Sequence, residues 1–207
     1  MKPNEDPLRD LSEIRSMMER SSRFISLSGL SGIFAGTFAL IGAALAANYL
    51  NLDWDLSAHF AVRRNPDQLQ FLILDGLAVL VLSLTTGVYF TTRSARRKGL
   101  RVWDATSQRL LINLAIPLVS GGLFCLLLIH HAPQLVASAT LLFYGLALLN
   151  GSKYTLHDVR YLGVSEIALG LIGGYFASSM VSLLIWALGF GVLHIVYGSV
   201  MYRKYEV

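Results

Sequence analysis

The 207-residue chain is 54% hydrophobic and only 14% charged, with a mean hydropathy of +0.55, whereas an ordinary soluble domain carries about 25% charged residues. One soluble core of this size could not hide that much apolar surface, so the composition excludes a soluble catalytic domain and indicates a polytopic membrane bundle. The net charge of +4 does not indicate nucleic acid as a partner, because the basic residues stand beside the apolar runs and no reading module accompanies them.

Residues 1–23 are polar, with five acids and five bases. The apolar region starts too late for a cleavable signal peptide, so none is expected. Asp6 followed by Pro7 reads as a helix start, and Leu8, Leu11, Ile14, Met17 and Met18 then recur at helical spacing. The segment is expected either to form an amphipathic helix on the membrane face or against a partner, or to serve as a polar lead-in to the first span. Residues 24–202 form the expected transmembrane domain, and residues 203–207 a short tail.

Six apolar segments follow, roughly Phe24 to Leu50, Leu69 to Thr92, Leu110 to Ile129, Gln134 to Asn150, Tyr161 to Ser179 and Ser182 to Tyr202. Each is close to the ~20 residues needed to cross ~30 Å of hydrocarbon. The fold class expected is therefore all-α, with six transmembrane helices arranged as three hairpins. The connections after the third and fifth segments leave room only for tight reversals, while the first outer connection, from Asn51 to Gln68, is longer and holds Trp54 and Pro66. Lys and Arg divide fifteen to two between the two faces, with only Arg63 and Arg64 on the outer side. This bias predicts both termini in the cytoplasm.

The strings Ser31 to Ala35, Gly121 to Cys125 and Gly173 to Ala177 share a small-Gly-apolar-Phe-small pattern. They read either as three copies of one hairpin or as a chance recurrence in Gly- and Phe-rich helices.

Polar groups inside hydrocarbon are where function is first sought, since an acid at a helix centre costs about 2.5 to 3.5 kcal/mol. Asp75 lies near the outer end of the second span, Glu166 in the inner part of the fifth, and His194 deeper in the sixth. A proton path joining Asp75, His194 and Glu166 is one reading. The other makes Asp75 a satisfied rim carboxylate, Glu166 a partner for Arg160 or Arg109, and His194 an interhelical contact. Asn113 is a fourth candidate, because Pro117 frees its carbonyl from the helical ladder. That carbonyl either contacts an ion or substrate or is satisfied by a neighbouring helix. Small-residue faces at Ser28, Gly32 and Gly36, at Gly170, Gly174 and Ser178, and at Gly191 and Gly198 predict close helix packing. The first of them offers a face for self-association.

No catalytic, cofactor-binding or metal-ligating motif is present. Cys125 is the single cysteine, and the adjacent His130 and His131 would need further ligands to hold a metal. Three functions stay open: a non-enzymatic bundle that binds a membrane or cytoplasmic partner through its N-terminal helix and basic loop, a small proton-linked transporter or channel, and a membrane-embedded enzyme. The first is the leading expectation.

The charged N-terminal helix, the Ser/Gly-rich stretch from Ser28 to Gly36 and the layout of spans resemble uncharacterised small bacterial inner-membrane proteins. More distantly, they are similar to the HdeD-like membrane proteins built from repeated helix pairs. The resemblance implies a bacterial cytoplasmic (inner) membrane location and carries over no site residue. The long first outer connection departs from a clean repeat of pairs.

Overall fold

A computed structural model of the chain describes residues 27–50, 66–100, 102–177 and 180–206. The expected N-terminal amphipathic stripe, the outer connection with Trp54, Arg63 and Arg64, and Ser178 lie outside the described residues. The described chain is all-α. Its helices are α1 (Gly29–Tyr49), α2 (Pro66–Arg97), α3 (Ala105–His131), α4 (Val136–Gly151), α5 (Val159–Tyr175), α6 (Met180–Trp186) and α7 (His194–Tyr205). A π-helical segment, Ala187–Leu193, joins α6 to α7, so that Met180–Tyr205 is one continuous rod. Five helical runs are long and apolar enough to cross a membrane. The exception is α5, whose 17 residues give roughly 25 Å of helix.

Local chemistry sets the helix ends. Pro66 opens α2, where its missing N–H costs nothing. The other end of α2 closes on Gly99, at φ 64°, with Leu100 N–H donating to the Ala95 carbonyl at 2.9 Å and Gly99 N–H to the Arg96 carbonyl at 3.2 Å. This Schellman turn needs a residue without a Cβ. A reciprocal capping box starts α3, with Ser107 N–H donating to Asp104 Oδ1 at 2.7 Å and Asp104 N–H to Ser107 Oγ at 2.8 Å. The cap of α1 comes from the far end of the chain: Glu206 accepts from Gly29 N–H at 2.5 Å and from Ser28 Oγ at 3.3 Å. A carboxylate at a helix N-terminus is favoured by the helix dipole.

In space α1 lies between α2 and the rod, the rod packs on its other side against α5 and α4, and α3 packs against α4. Among helices consecutive in the chain, the most extensive packing is α4 on α5 rather than α5 on the rod. The contacts are made by small residues. A Cβ on Gly32 would lie 3.1 Å from Gly198 Cα, and one on Gly198 would lie 2.6 Å from the Gly29 carbonyl. Gly145 and Gly163 bring α4 and α5 together in the same way, since a Cβ on either would lie 2.6 or 2.9 Å from the other's carbonyl oxygen. Such backbone approach is the packing device of helices that gain nothing from burying Leu against Leu.

Three readings of the small residues need correction. Ser28 precedes α1 and bonds Glu206, so the close-packed face runs through Gly29, Gly32 and Gly36. That face is filled by the rod, with Gly36 against Gly191 and Ile195, and is unavailable for self-association. The three Gly-Phe strings are not equivalent either. Gly32 sits tightly on the rod near the start of α1, Gly122 meets nothing within 4 Å, and Gly174 lies 3.8 Å from Ser138 near the end of α5.

The polarity of this bundle is inverted relative to a soluble protein. Val81 and Val88 of α2 and Val119 and Leu127 of α3 are 59–68% exposed, whereas Glu166 is among the largest fully buried side chains. The described ends that carry most Lys and Arg converge: the start of α1 and the ends of α2 and the rod share one cavity wall, and Lys204 reaches Asp158 at the start of α5.

Candidate functional site

The site is assembled where α4, α5 and the rod meet. Gly163 and Gly170 turn one face of α5 onto α4, and this sets Glu166, between them, against the π segment. A Cβ on Gly189 would lie 2.6 Å from Glu166 Oε2, so the glycine makes room for the carboxyl group. Glu166 is fully buried and His194 is 5% exposed. Their closest approach is His194 Nδ1 to Glu166 Oε1, 3.5 Å.

The imidazole is held from both ends. Nδ1 lies 3.0 Å from the Gly189 carbonyl oxygen and Nε2 lies 2.9 Å from Tyr144 Oη. A carbonyl only accepts, so Nδ1–H donates to Gly189, and in the neutral ring Nε2 accepts the Tyr144 hydroxyl proton. Aromatic groups wall the cluster. Phe190 lies 5.1 Å from both the Tyr144 and Trp186 rings, and Trp186 Nε1 donates to Thr140 Oγ1 at 3.2 Å. Leu141 closes the remaining side at Gly189.

Neither oxygen of Glu166 has a hydrogen-bond partner among the described residues. An isolated carboxylate in such surroundings is very costly. Two proton arrangements keep the pair neutral overall: a carboxylic acid beside a neutral imidazole, or a carboxylate beside an imidazolium. The Nδ1–H group has an acceptor in reach for each, Gly189 O at 3.0 Å and Glu166 Oε1 at 3.5 Å. Tyr144 extends the chain by one further exchangeable proton. Glu166 and Tyr144 both fall near the middle of their helices, α5 and α4.

Of the residues singled out from sequence, Glu166 and His194 come together. Glu166 is therefore not the surface partner of Arg160 or Arg109. Asp75 does not join them. Its carboxylate faces α1, 3.2 and 3.4 Å from where a Cβ on Gly42 would stand, and α1 intervenes between α2 and the rod. The three-member path is thus replaced by a two-residue pair with Tyr144. Asn113 lies elsewhere again. Its amide donates to the Arg109 carbonyl at 2.8 Å, and the carbonyl freed by Pro117 accepts from Asn150 Nδ2 at 3.0 Å. A neighbouring helix thus resolves the kink. Gly191 and Gly198 pack on α1 and Gly170 on α4, while His130 and His131 are exposed at the end of α3.

Tyr144 and Gly189 were not anticipated from sequence. Tyr144 had one available signal: tyrosine concentrates at membrane interfaces, and this one falls in the middle of an apolar segment. Outside the bundle core, Asp158 accepts from Lys204 Nζ at 2.8 Å and Tyr205 Oη at 2.9 Å. The Lys204 hydrogen bond holds its carboxyl below the ordinary aspartate range.

No protein-family model, curated protein or solved structure matches the chain significantly.

Proposed function

We propose that the chain is an integral protein of a bacterial cytoplasmic membrane, with six spans and both termini inside, and that it works as a small proton-linked transporter or channel whose proton site is Glu166, His194 and Tyr144. The carrying observation is a fully buried carboxyl group with neither oxygen bonded among the described residues, set against an imidazole in the middle of a bundle whose outer surface is apolar. Ionisable groups placed so inside a bundle are costly and are kept where protons or ions move. The fifteen-to-two division of Lys and Arg supports the orientation.

The π segment supplies a mechanism. With the proton on Glu166, Nδ1–H stays on the Gly189 carbonyl and holds the π turn. Loss of that proton draws Nδ1–H toward Oε1, releases the Gly189 carbonyl and lets the turn shift, which moves α7 along the glycine face of α1. π-Helical turns often mark functional sites, and a two-state element biased by protonation is the minimal requirement for coupling.

Purified protein in liposomes with an internal pH-sensitive dye tests this reading. Proton flux above empty liposomes is expected, lost in Glu166→Gln and kept in Asp75→Asn. Folded protein that gives no flux, or flux indifferent to Glu166→Gln, contradicts it. A second reading, a bundle that docks a partner or a second copy, is favoured by the exposed Leu and Val faces of α2 and α3. Co-purification of a stoichiometric partner, together with absent flux, would select it.

A further inference from the structure

We infer that the end of the bundle formed by α1, α2 and the C-terminus binds an anionic phosphate group, that of a phospholipid headgroup. A cavity of about 320 Å³ opens there, lined by Leu30, Phe90, Arg93, Arg97, Lys98 and Glu206 among others, at the lower end of the size range of ligand pockets. Phe90, Arg93 and Arg97 are spaced i, i+3 and i+7 and so share one face of α2. That face is turned to α1, because Phe90 stacks on Phe34 with ring centroids 5.1 Å apart. Both guanidinium groups therefore stand over the α1–α2 seam rather than at random on the surface.

Among the described residues neither guanidinium has a carboxylate within ion-pair distance. The one acid among the described residues of the wall, Glu206, is bound to the N-terminus of α1. The site thus has a cationic mouth with two planar guanidinium forks, the geometry suited to phosphate oxygens. Its floor, Leu30 and Phe90, is apolar and continues into the span, as an attached acyl chain requires. Basic pockets between helices at the cytoplasmic side are a recurrent solution for anionic headgroups. The inference rests on the membrane reading but not on proton transport.

The test uses the full chain purified in a neutral detergent, with lipid retention read by native mass spectrometry and affinity by titration with a short-chain phosphatidylglycerol. Phosphatidylcholine and inorganic phosphate are the comparison probes. Preference for the anionic lipid over phosphatidylcholine is expected. The double variant Arg93→Gln with Arg97→Gln should weaken it about thirty-fold, the effect of two cations at a membrane surface. Arg203→Gln, at the same end but outside the cavity lining, should keep the wild-type affinity. Competition by inorganic phosphate at similar concentration would assign the site to a free phosphate. Equal retention of both lipids by the unaltered protein overturns the inference, and that comparison requires no variant. Unchanged affinity in a folded double variant overturns it too. Lipid selectivity and proton flux are separate readouts, so failure of one leaves the other standing.

Discussion

The α4–α5 contact depends on two glycines, and replacing either with alanine should separate the helices. A Cβ on Gly145 would stand 2.6 Å from the Gly163 carbonyl oxygen and 2.7 Å from Ile167 N, and one on Gly163 would stand 2.9 Å from both the Gly145 carbonyl and Leu149 N, where ordinary contact begins at 3.4 Å. The obstructing atoms are backbone, so no rotamer change relieves them. For Gly145→Ala, the 2.6 Å between the new Cβ and the Gly163 carbonyl oxygen must open by about 0.8 Å to reach 3.4 Å, and a gap of that order forfeits roughly a quarter to a half of each neighbouring dispersion contact. The expected destabilisation is about 1–3 kcal/mol. Because both methyl groups force the same displacement, the double variant should cost less than the sum of the singles by at least about 0.5 kcal/mol. Gly76→Ala and Gly122→Ala, which meet nothing within 4 Å, should be neutral or stabilising by up to about 1 kcal/mol. Unfolding in mixed micelles of increasing dodecyl sulfate content, followed by circular dichroism, measures all five. Gly145→Ala and Gly163→Ala indistinguishable from Gly122→Ala would refute the close approach of α4 and α5.

Other consequences follow from the same geometry. Asn150→Ala orphans the Asn113 carbonyl and should destabilise the bundle by about 1–2 kcal/mol, whereas Asn150→Ala placed on a Pro117→Ala background should cost distinctly less, since the ladder then satisfies that carbonyl. Tyr144→Phe removes the hydroxyl bonded to His194 Nε2 and should slow proton flux without abolishing it, while Gly189→Ala, whose Cβ would strike Glu166 Oε2 and Leu141, should lower both flux and thermal stability. The carboxyl of Asp158 is held below its ordinary range by Lys204, so its stabilising contribution is complete above the unfolded pKa of about 3.9 and fades as pH falls through the lower folded value. Asp158→Asn should accordingly lower stability by a constant amount across the neutral region and flatten the acid limb of a stability–pH profile, where the two proteins converge. Reporter fusions should place the 93–109 connection and the C-terminus inside, and an outside signal at either would overturn the orientation.

Much of the architecture was legible because lipid-compatible helices announce themselves by composition. The apolar runs gave the helices to within a few residues, although α2 extends to Arg97 and α5 stops at Tyr175. The charged end of α2 stays helical because Arg96 and Arg97 suit the helix C-terminus and Gly99 supplies the turn. Glu166 and His194 stood out because ionisable groups are rare in such segments. Which of the candidates would meet was not legible, since it depends on the order of helices in space. Asp75 is as conspicuous in sequence as Glu166, yet α1 screens it from the rod. The π segment was equally hidden, because no local composition distinguishes a π turn from an α turn.

The central claim is that Glu166 takes up and gives back a proton inside the bundle, and infrared difference spectroscopy of the reconstituted protein across a pH step tests it most directly. A protonated-carboxyl band that changes with pH, vanishes in Glu166→Gln and survives in Asp75→Asn is the predicted result. A band that persists unchanged in Glu166→Gln, or that is lost only in Asp75→Asn, would contradict it.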